Sequence, residues 1–193
     1  LYIEEDQQTS MHCHPKKNTG LVVLDGTAEI SFLKNKIQLK GVDKIMIFRG
    51  RFHSTKALSK GGAHIIEVEA PQDKTDLVRL QDAYGREGTS YEGKSKHSPK
   101  TEDCLWISDP ISDKPNVYEF NGCNIKIEKI YSKEEILNRP YEESLIILDG
   151  GIIAPSGDYI VQPGDVIAGH TINTIGKHFD ITKEVLVLSV VRK

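Results

Sequence analysis

The sequence has few cysteines, few aromatic residues and no excess of basic charge. Its 193 residues include three Cys and one Trp, and 28 Asp and Glu outnumber 25 Lys and Arg, for a formal net charge of −3. Proteins that bind nucleic acid usually carry a basic excess, so we expect no nucleic-acid partner. The sequence also lacks an apolar run long enough to span a bilayer, so we expect no membrane partner.

The three cysteines, Cys13, Cys104 and Cys123, form an odd and sparse set. A disulfide framework normally has an even number of closely spaced cysteines, so we predict free thiols and a cytoplasmic protein. The first residues, LYIEEDQQ, are neither a signal peptide nor a start methionine. We therefore expect the sequence to be a processed product or a fragment of a longer polypeptide.

Most of the chain has the pattern of an all-β protein. Short runs rich in Val and Ile alternate with turns of Gly, Asp, Asn and Pro; examples are GLVVLDG, IMIFRG and HIIEVEA. We predict helices in only two places. One covers 133–138, and the other covers 76–84 with Thr75 as its N-cap and Gly85 at its end.

The two halves of the sequence resemble each other. LVVLDGTAEI at 21–30 matches LIILDGGIIA at 145–154, and two later pairs of segments match at similar intervals: 39–47 with 162–169, and 64–70 with 184–191. This pattern indicates a duplicated β unit. Since the stretch around residue 95 is polar, we predict a linker between two domains: 1–88, linker 89–103, and 104–193.

The stretch TSMHCHPKKN places His12 and His14 one residue apart. Side chains alternate between the two faces of a β-strand, so both imidazoles point to one face and Cys13 points to the other. The histidine pair can therefore bind one metal ion, and Cys13 cannot join it. A surface histidine pair without a metal is the alternative.

This stretch, together with the residues after it, resembles the cupin superfamily. The family's first motif runs histidine, any residue, histidine, a short gap, glutamate, six residues, glycine, and Gly26 falls at that last glycine. In the second motif a glycine, a strand and a turn precede a third histidine, and Gly41, Gly50 and His53 fall at these places. The resemblance implies two tandem cupin (jelly-roll) barrels with a few short helices, the second barrel a degenerate repeat. It also implies one divalent metal ion at His12, His14 and His53.

The sequence departs from the cupin pattern at two positions, Thr19 in place of the glutamate ligand and Phe48 in place of the usual proline. Three neutral imidazoles without a carboxylate favour zinc, with iron, nickel and manganese as alternatives. A barrel that has lost its ion and keeps the histidines for a ligand is another alternative. The second repeat has Ile136 and Asn138 at the positions of the histidine pair, so we predict no metal site there.

The run DLVRLQDAYGR at 76–86 resembles the segment after the barrel in type II mannose-6-phosphate isomerases and in the matching domain of mannose-1-phosphate guanylyltransferases. The resemblance implies kinship with proteins of sugar and sugar-nucleotide metabolism. Glu67 is the candidate general base if its strand face lines the barrel; if that face is outside, it is only a surface charge. A basic rim for a small-molecule ligand is the candidate role of Lys16, Lys17, Arg49 and Arg51, although surface cations often bind nothing.

The favoured hypothesis is a metal-binding bicupin that binds or acts on a small carbohydrate-type ligand. Its reaction would be that of a sugar or sugar-phosphate isomerase or epimerase in cell-surface glycan biosynthesis. One alternative is a non-catalytic, ligand-binding module of a larger sugar-nucleotide enzyme, and another is a three-histidine iron dioxygenase. The fold does not choose among them, so whether the chain is an enzyme stays open. The apolar strand EVLVLSVV at 184–191, taken as an outer strand, predicts a homodimer.

Overall fold

The computed structural model describes residues 1–81, 85, 107–111 and 114–193. Over these ranges the protein is all-β with two short helices, which confirms the predicted fold class. Cys13 and Cys123 are buried free thiols. The predicted linker 89–103 and Cys104 lie outside the described residues.

The described part of the first half contains nine strands. They are β1 (Tyr2–Ile3), β2 (Met11–Cys13), β3 (Asn18–Asp25), β4 (Thr27–Phe32), β5 (Lys36–Lys40), β6 (Lys44–Ile47), β7 (His53–Ala57), β8 (Ala63–Ala70) and β9 (Val78–Gln81). They form two antiparallel sheets with the strand orders β1-β8-β3-β6 and β5-β4-β7-β2-β9. A core of apolar side chains such as Leu21, Ile30 and Ile65 is buried in this half.

From residue 107 onward, the described residues form eight strands and both helices. They are β10 (Asn116–Phe120), β11 (Cys123–Ile130), α1 (Glu134–Leu137), β12 (Ser144–Asp149), β13 (Ile152–Ile153), β14 (Tyr159–Val161), β15 (Val166–Ala168), α2 (Gly169–Gly176), β16 (Asp180–Ile181) and β17 (Val185–Arg192). The sheet orders are β10-β11-β17-β12-β15 and β14-β13-β16. The strand order β1-β8-β3-β6 of the first half thus corresponds to β11-β17-β12-β15 of the second half. In the other sheet of each half, β5-β4-β7 corresponds to β14-β13-β16. The repeat seen in the sequence is present in the strand order.

A matching irregularity marks the same place in each half. The register of β3 against β8 shifts just before Asp25, and that of β12 against β17 shifts just before Asp149. The next residue in each case has a positive φ, 80° at Gly26 and 66° at Gly150. A Cβ on either glycine would lie within hard contact of a backbone oxygen, at 2.3 Å and 2.2 Å respectively. The repeated Asp-Gly pair therefore reflects one turn used twice.

The two halves pack against each other through an apolar cluster to which both contribute. Its buried members are Val22, Leu24, Val42, Cys123, Ile125, Ile146, Val166, Leu188 and Val190. Strand β17 is central in its sheet, and most of its side chains are buried. The segment 184–191 is therefore not an exposed apolar strand. The reason given above for predicting a homodimer is wrong. The homodimer itself stays a prediction.

The helix predicted at 133–138 is present as α1, but the helix predicted at 76–84 is wrong over its described part. Residues 78–81 form β9, which pairs with β2. The Asp76 carboxylate accepts hydrogen bonds from the backbone N–H groups of Lys16 and Lys17, each at 2.9 Å, so it ties this segment beside the β2 strand end. Residues 82–84 lie outside the described residues. Neither described helix is long and apolar enough to cross a membrane.

Candidate metal centre

Three histidines meet at the junction of β2 and β7. His12 lies on β2 and pairs directly with His53, the first residue of β7, and His14 follows β2 by one residue. The ring centroids are 4.5 Å apart for His12 and His53, 5.1 Å for His12 and His14, and 5.9 Å for His14 and His53. One ring nitrogen of each histidine lies within 4.8 Å of the other two. The predicted triad therefore converges on one point.

Each imidazole is oriented by a backbone carbonyl. Nδ1 of His12 donates to the Ser10 oxygen at 2.8 Å. Nδ1 of His14 donates to the backbone oxygen of Asp76 at 2.6 Å, and Nδ1 of His53 donates to that of Arg51 at 3.0 Å. A carbonyl oxygen can only accept a hydrogen bond, so Nδ1 carries a proton in all three rings, and in a neutral ring Nε2 keeps its lone pair. Metal-binding histidines use this arrangement to fix the tautomer and the ring orientation.

The Nε2 atoms of His14 and His53 are buried and make no hydrogen bond to a described residue. Burial and the neighbouring His53 lower the pKa of His12 to about 4. Burial also lowers the pKa of His53. Two rings are thus neutral at neutral pH, as metal ligands must be. Buried nitrogens that need a partner, in a set of three imidazoles, fit a divalent ion of the zinc type.

A carboxylate from the facing strand lies beside the triad. Glu69 on β8 pairs with Thr19 on β3, the position where the cupin motif has its glutamate. Glu69 Oε1 lies 2.8 Å from Nε2 of His14, a charged contact that lacks the direction of a hydrogen bond. Glu69 Oε2 accepts a hydrogen bond from Lys17 Nζ at 2.6 Å. Thr19 is buried.

The His14–Glu69–Lys17 contacts shift the protonation of their members. Burial alone would raise the pKa of Glu69, but His14 and Lys17 lower it to about 2. Burial alone would lower the pKa of His14, but the Glu69 carboxylate and the Asp76 carbonyl raise it above its ordinary value. The side chain of Lys17 is only 1 % exposed. Its predicted place in a basic rim is therefore wrong: it is a buried ion-pair partner.

Two of the three histidines, His12 and His14, line a cavity of about 630 Å³. The charged side chains of its lining are Glu4, Glu67, Glu69 and Arg79. Glu67 keeps solvent-exposed surface, yet the surrounding cavity wall and the charge of Glu69 raise the pKa of its carboxyl. The strand face that carries Glu67 thus points into the cavity. The structure brings this candidate base together with the histidines.

The basic residue of this cavity is Arg79, which the sequence did not single out for ligand binding. Arg79 pairs with His12 across β9 and β2 and lies on the same face. The neighbours of Arg79 on β9, Val78 and Leu80, are 46 % and 50 % exposed on the other face. Strand alternation in LVRLQ indicates this arrangement, whereas the helix predicted at 76–84 does not.

The predicted ligand-binding residues do not line the histidine cavity. Lys16 and Arg49 line a cavity of about 720 Å³ to which both halves contribute, together with Phe48 and Leu148. Arg51 lines a third cavity of about 530 Å³. The structure therefore does not join these cations to the histidines in one basic rim.

Within the described residues, the first-half triad is the one histidine, cysteine or carboxylate cluster with metal-binding spacing. Ile136 is buried in α1, and Asn138 follows that helix. His170 is exposed, and its ring stacks on Tyr141 with a centroid distance of 4.5 Å. The absence of a metal site from the second half stays a prediction.

No model of a known protein family matches the sequence, and no curated protein matches it. Solved structures give local matches of low similarity. A Bacillus halodurans protein is 16 % identical with a TM-score of 0.37, and the match covers 38 % of this chain and 60 % of that one. The chain thus matches less than two thirds of that protein's length.

Two further solved structures match the chain at similarly low levels. A Klebsiella pneumoniae protein with a double-stranded β-helix domain is 20 % identical over 42 % of this chain and 70 % of that one, with a TM-score of 0.39. A cupin-superfamily sugar phosphate isomerase from Silicibacter pomeroyi is 13 % identical over 41 % and 52 %, with a TM-score of 0.38. The similarity to mannose-6-phosphate isomerases stays a prediction.

Proposed function

We propose that the chain is a metal-binding bicupin whose first half holds one divalent ion, zinc by preference, at His12, His14 and His53. The observation that carries the proposal is the set of three Nδ1–H donations to backbone carbonyls, which leaves Nε2 of each ring as the nitrogen that can bind the ion. The domain limits 1–88 and 104–193 belong to this proposal, as does a small carbohydrate-type ligand.

The cavity contains the groups that a sugar or sugar-phosphate isomerase or epimerase needs. A divalent ion at the triad would polarise a carbonyl or hold adjacent hydroxyls. The Glu67 carboxylate is the base for a carbon-bound proton, since it lines the same cavity as His12 and His14. Arg79 lines that cavity too and provides a cation for an anionic group such as phosphate.

Metal analysis after chelation tests the binding proposal. The full chain is stripped with a chelator, reloaded with Zn²⁺ and dialysed, and its zinc is measured per chain. We expect one equivalent in the wild type, little in His14→Ala and one in the control His170→Ala, because His170 is an exposed histidine of the second half. Zinc retained by His14→Ala would contradict the proposal.

The catalytic proposal has its own readout. Loaded protein is incubated with fructose 6-phosphate or mannose 6-phosphate in D₂O, and proton NMR follows exchange at the carbon next to the carbonyl. We expect exchange in the wild type and its loss in Glu67→Gln with zinc content unchanged. Ligand binding without exchange over a panel of phosphosugars would instead identify a non-catalytic module.

A three-histidine iron dioxygenase is the second candidate. It is favoured by the triad itself, in which the ligand atoms of three imidazoles lie within 4.8 Å of one another in a cluster that includes no carboxylate. Iron in the protein as purified, with oxygen uptake in the presence of small thiols, would support this candidate. Zinc without oxygen uptake would support the first.

A further inference from the structure

The second half has a cavity at the position that corresponds to the metal centre of the first half. Leu21 and Leu145 are equivalent in the repeat, and Glu143 lies two residues before Leu145 as Thr19 lies two before Leu21. On the facing strand, Leu145 pairs with Ser189 as Leu21 pairs with Glu67. Glu143 and Ser189 both line this second-half cavity, which has a volume of about 550 Å³.

Charged side chains take the place of the histidines here. Arg139 Nη1 donates to Glu128 Oε1 at 2.5 Å and lies 3.6 Å from Glu143 Oε1. Lys126 Nζ lies 2.8 Å from Glu128 Oε1. The side chains of Arg139 and Glu143 are only 7 % and 2 % exposed. Burying these charges is costly, so the cluster is a built feature and not a solvated surface patch.

Two polar atoms of this cluster have no hydrogen-bond partner among the described residues. They are Nε of Arg139, a donor, and Oε2 of Glu143, an acceptor, and both are buried. An unsatisfied buried polar atom is destabilising, and such atoms in native proteins call for an explanation. Both side chains line the same cavity, so a bound molecule that enters the cavity can supply both partners.

The cavity chemistry selects the ligand class. Lys126 and Arg139 oppose a simple cation, while Glu128, Glu135 and Glu143 oppose a simple anion. A hydroxyl group both donates and accepts, so adjacent hydroxyls satisfy Glu143 Oε2 and Arg139 Nε together. We propose that this second-half cavity is a metal-free binding site for a neutral, hydroxyl-rich small molecule of the sugar or cyclic polyol class.

Titration of the full, ¹⁵N-labelled chain with glucose, mannose and myo-inositol tests the proposal. We expect saturable shifts in the backbone amide signals of Asn138, Glu143 and Ser189 and in the side-chain Nε–H signal of Arg139, with at least one of the three probes. No saturable shift with any probe would overturn it. So would shifts at these groups with inorganic phosphate or Zn²⁺ and none with the polyols.

Two variants separate binding from folding. Glu143→Gln keeps the size of the side chain but removes the charged acceptor, and we expect binding about tenfold weaker, as for the loss of a hydrogen bond to a charged group. Glu143→Gln perturbs a buried ion pair, so a second variant is needed. Asn138→Phe fills the cavity from an exposed position, and we expect it to abolish binding with an unchanged melting temperature. Unchanged binding in a folded Asn138→Phe protein would overturn the proposal.

Polyol binding in the second-half cavity requires no metal ion at the first-half triad. His53→Ala alters the first-half triad, and His53 does not line the second-half cavity. We expect His53→Ala to lose zinc and keep the polyol-induced shifts. Loss of those shifts in a folded His53→Ala protein would mean that the polyol binds in the first half, against the proposal.

Discussion

Glu69 lies directly opposite Thr19 on the antiparallel strands β8 and β3, and from there its carboxylate reaches His14. Directly opposed side chains in such a pair have Cβ atoms only about 4.5–5.5 Å apart. The cupin motif has a glutamate at the Thr19 position. In this chain a carboxylate reaches His14 from the neighbouring strand instead. Its second oxygen is held by the buried Lys17 ammonium, so the carboxylate is fixed in place.

Glu69→Gln should weaken both the fold and the metal centre. Lys17 would lose its closest carboxylate, and breaking a buried ion pair costs on the order of 3 kcal/mol. Removal of a group that orients a metal ligand typically lowers metal affinity about 10–100-fold. Urea denaturation of the metal-free chain and zinc competition with a chelator measure the two effects separately.

Glu29→Gln is the matched control for this change. Glu29 pairs with Lys36 at 2.9 Å, but the Lys36 side chain is 67 % exposed. An exposed pair contributes about 0–1 kcal/mol, so this control should leave both measurements nearly unchanged. Equal losses in Glu69→Gln and Glu29→Gln would show that the Glu69 contacts have no special role.

Gly20→Ala should destabilise the packing of the two halves. A Cβ on Gly20 would lie 2.3 Å from Cγ2 of Val166, on the other half. Overpacking of this kind costs about 1–3 kcal/mol, measured as a lower urea midpoint. Val166→Ala in the same chain removes the obstructing methyl groups, so the double variant should be more stable than the sum of the single effects predicts. Strict additivity would contradict the packing of the halves described above.

Several features of the fold could be predicted from the sequence because they rest on local patterns. The repeated Leu-Asp-Gly and the Val/Ile-rich runs between turn residues are local signals of short strands, so the repeat and the all-β class were predictable. Helix α2 was not, because Thr171, Ile172 and Thr174 are β-branched and favour strands in isolation. Its Ile172 is buried in the second-half core, and this tertiary packing outweighs the local preference.

Lowering the pH should remove the stability against urea that the ionised Glu128 carboxylate provides. Burial alone would raise the pKa of Glu128, but Lys126 and Arg139 lower it below its ordinary value. A carboxyl with a depressed folded-state pKa stabilises the protein above its unfolded pKa, and this contribution is lost as the pH falls through the folded-state pKa. Urea midpoints of the wild type should therefore fall below about pH 4.5 more steeply than those of Glu128→Gln.

Glu119→Gln serves as the control for the acid series. Glu119 pairs with Lys193, and both side chains are well exposed, at 69 % and 44 %. The urea midpoints of Glu119→Gln should equal those of the wild type at every pH. If Glu128→Gln showed the same acid dependence as the wild type, the Arg139 contact would not stabilise the ionised carboxylate.

The candidate site was predictable in part. His12, His14 and His53 could be found because motif spacing and strand alternation place them on one face. Lys17 and Asp76 could not, because their roles depend on contacts with residues about 50 to 60 positions away. Arg79 was missed for a different reason: four residues of β9 are too few to separate strand from helix periodicity.

X-ray absorption at the zinc edge of the reloaded full chain tests the three-histidine assignment most directly. The expected spectrum has one zinc per chain with three imidazole nitrogens at about 2.0–2.1 Å and light oxygen scatterers in the remaining positions. In His53→Ala the imidazole count should fall to two or the zinc should be lost. A sulfur ligand, fewer than three imidazoles in the wild type, or an unchanged spectrum in His53→Ala would contradict the assignment.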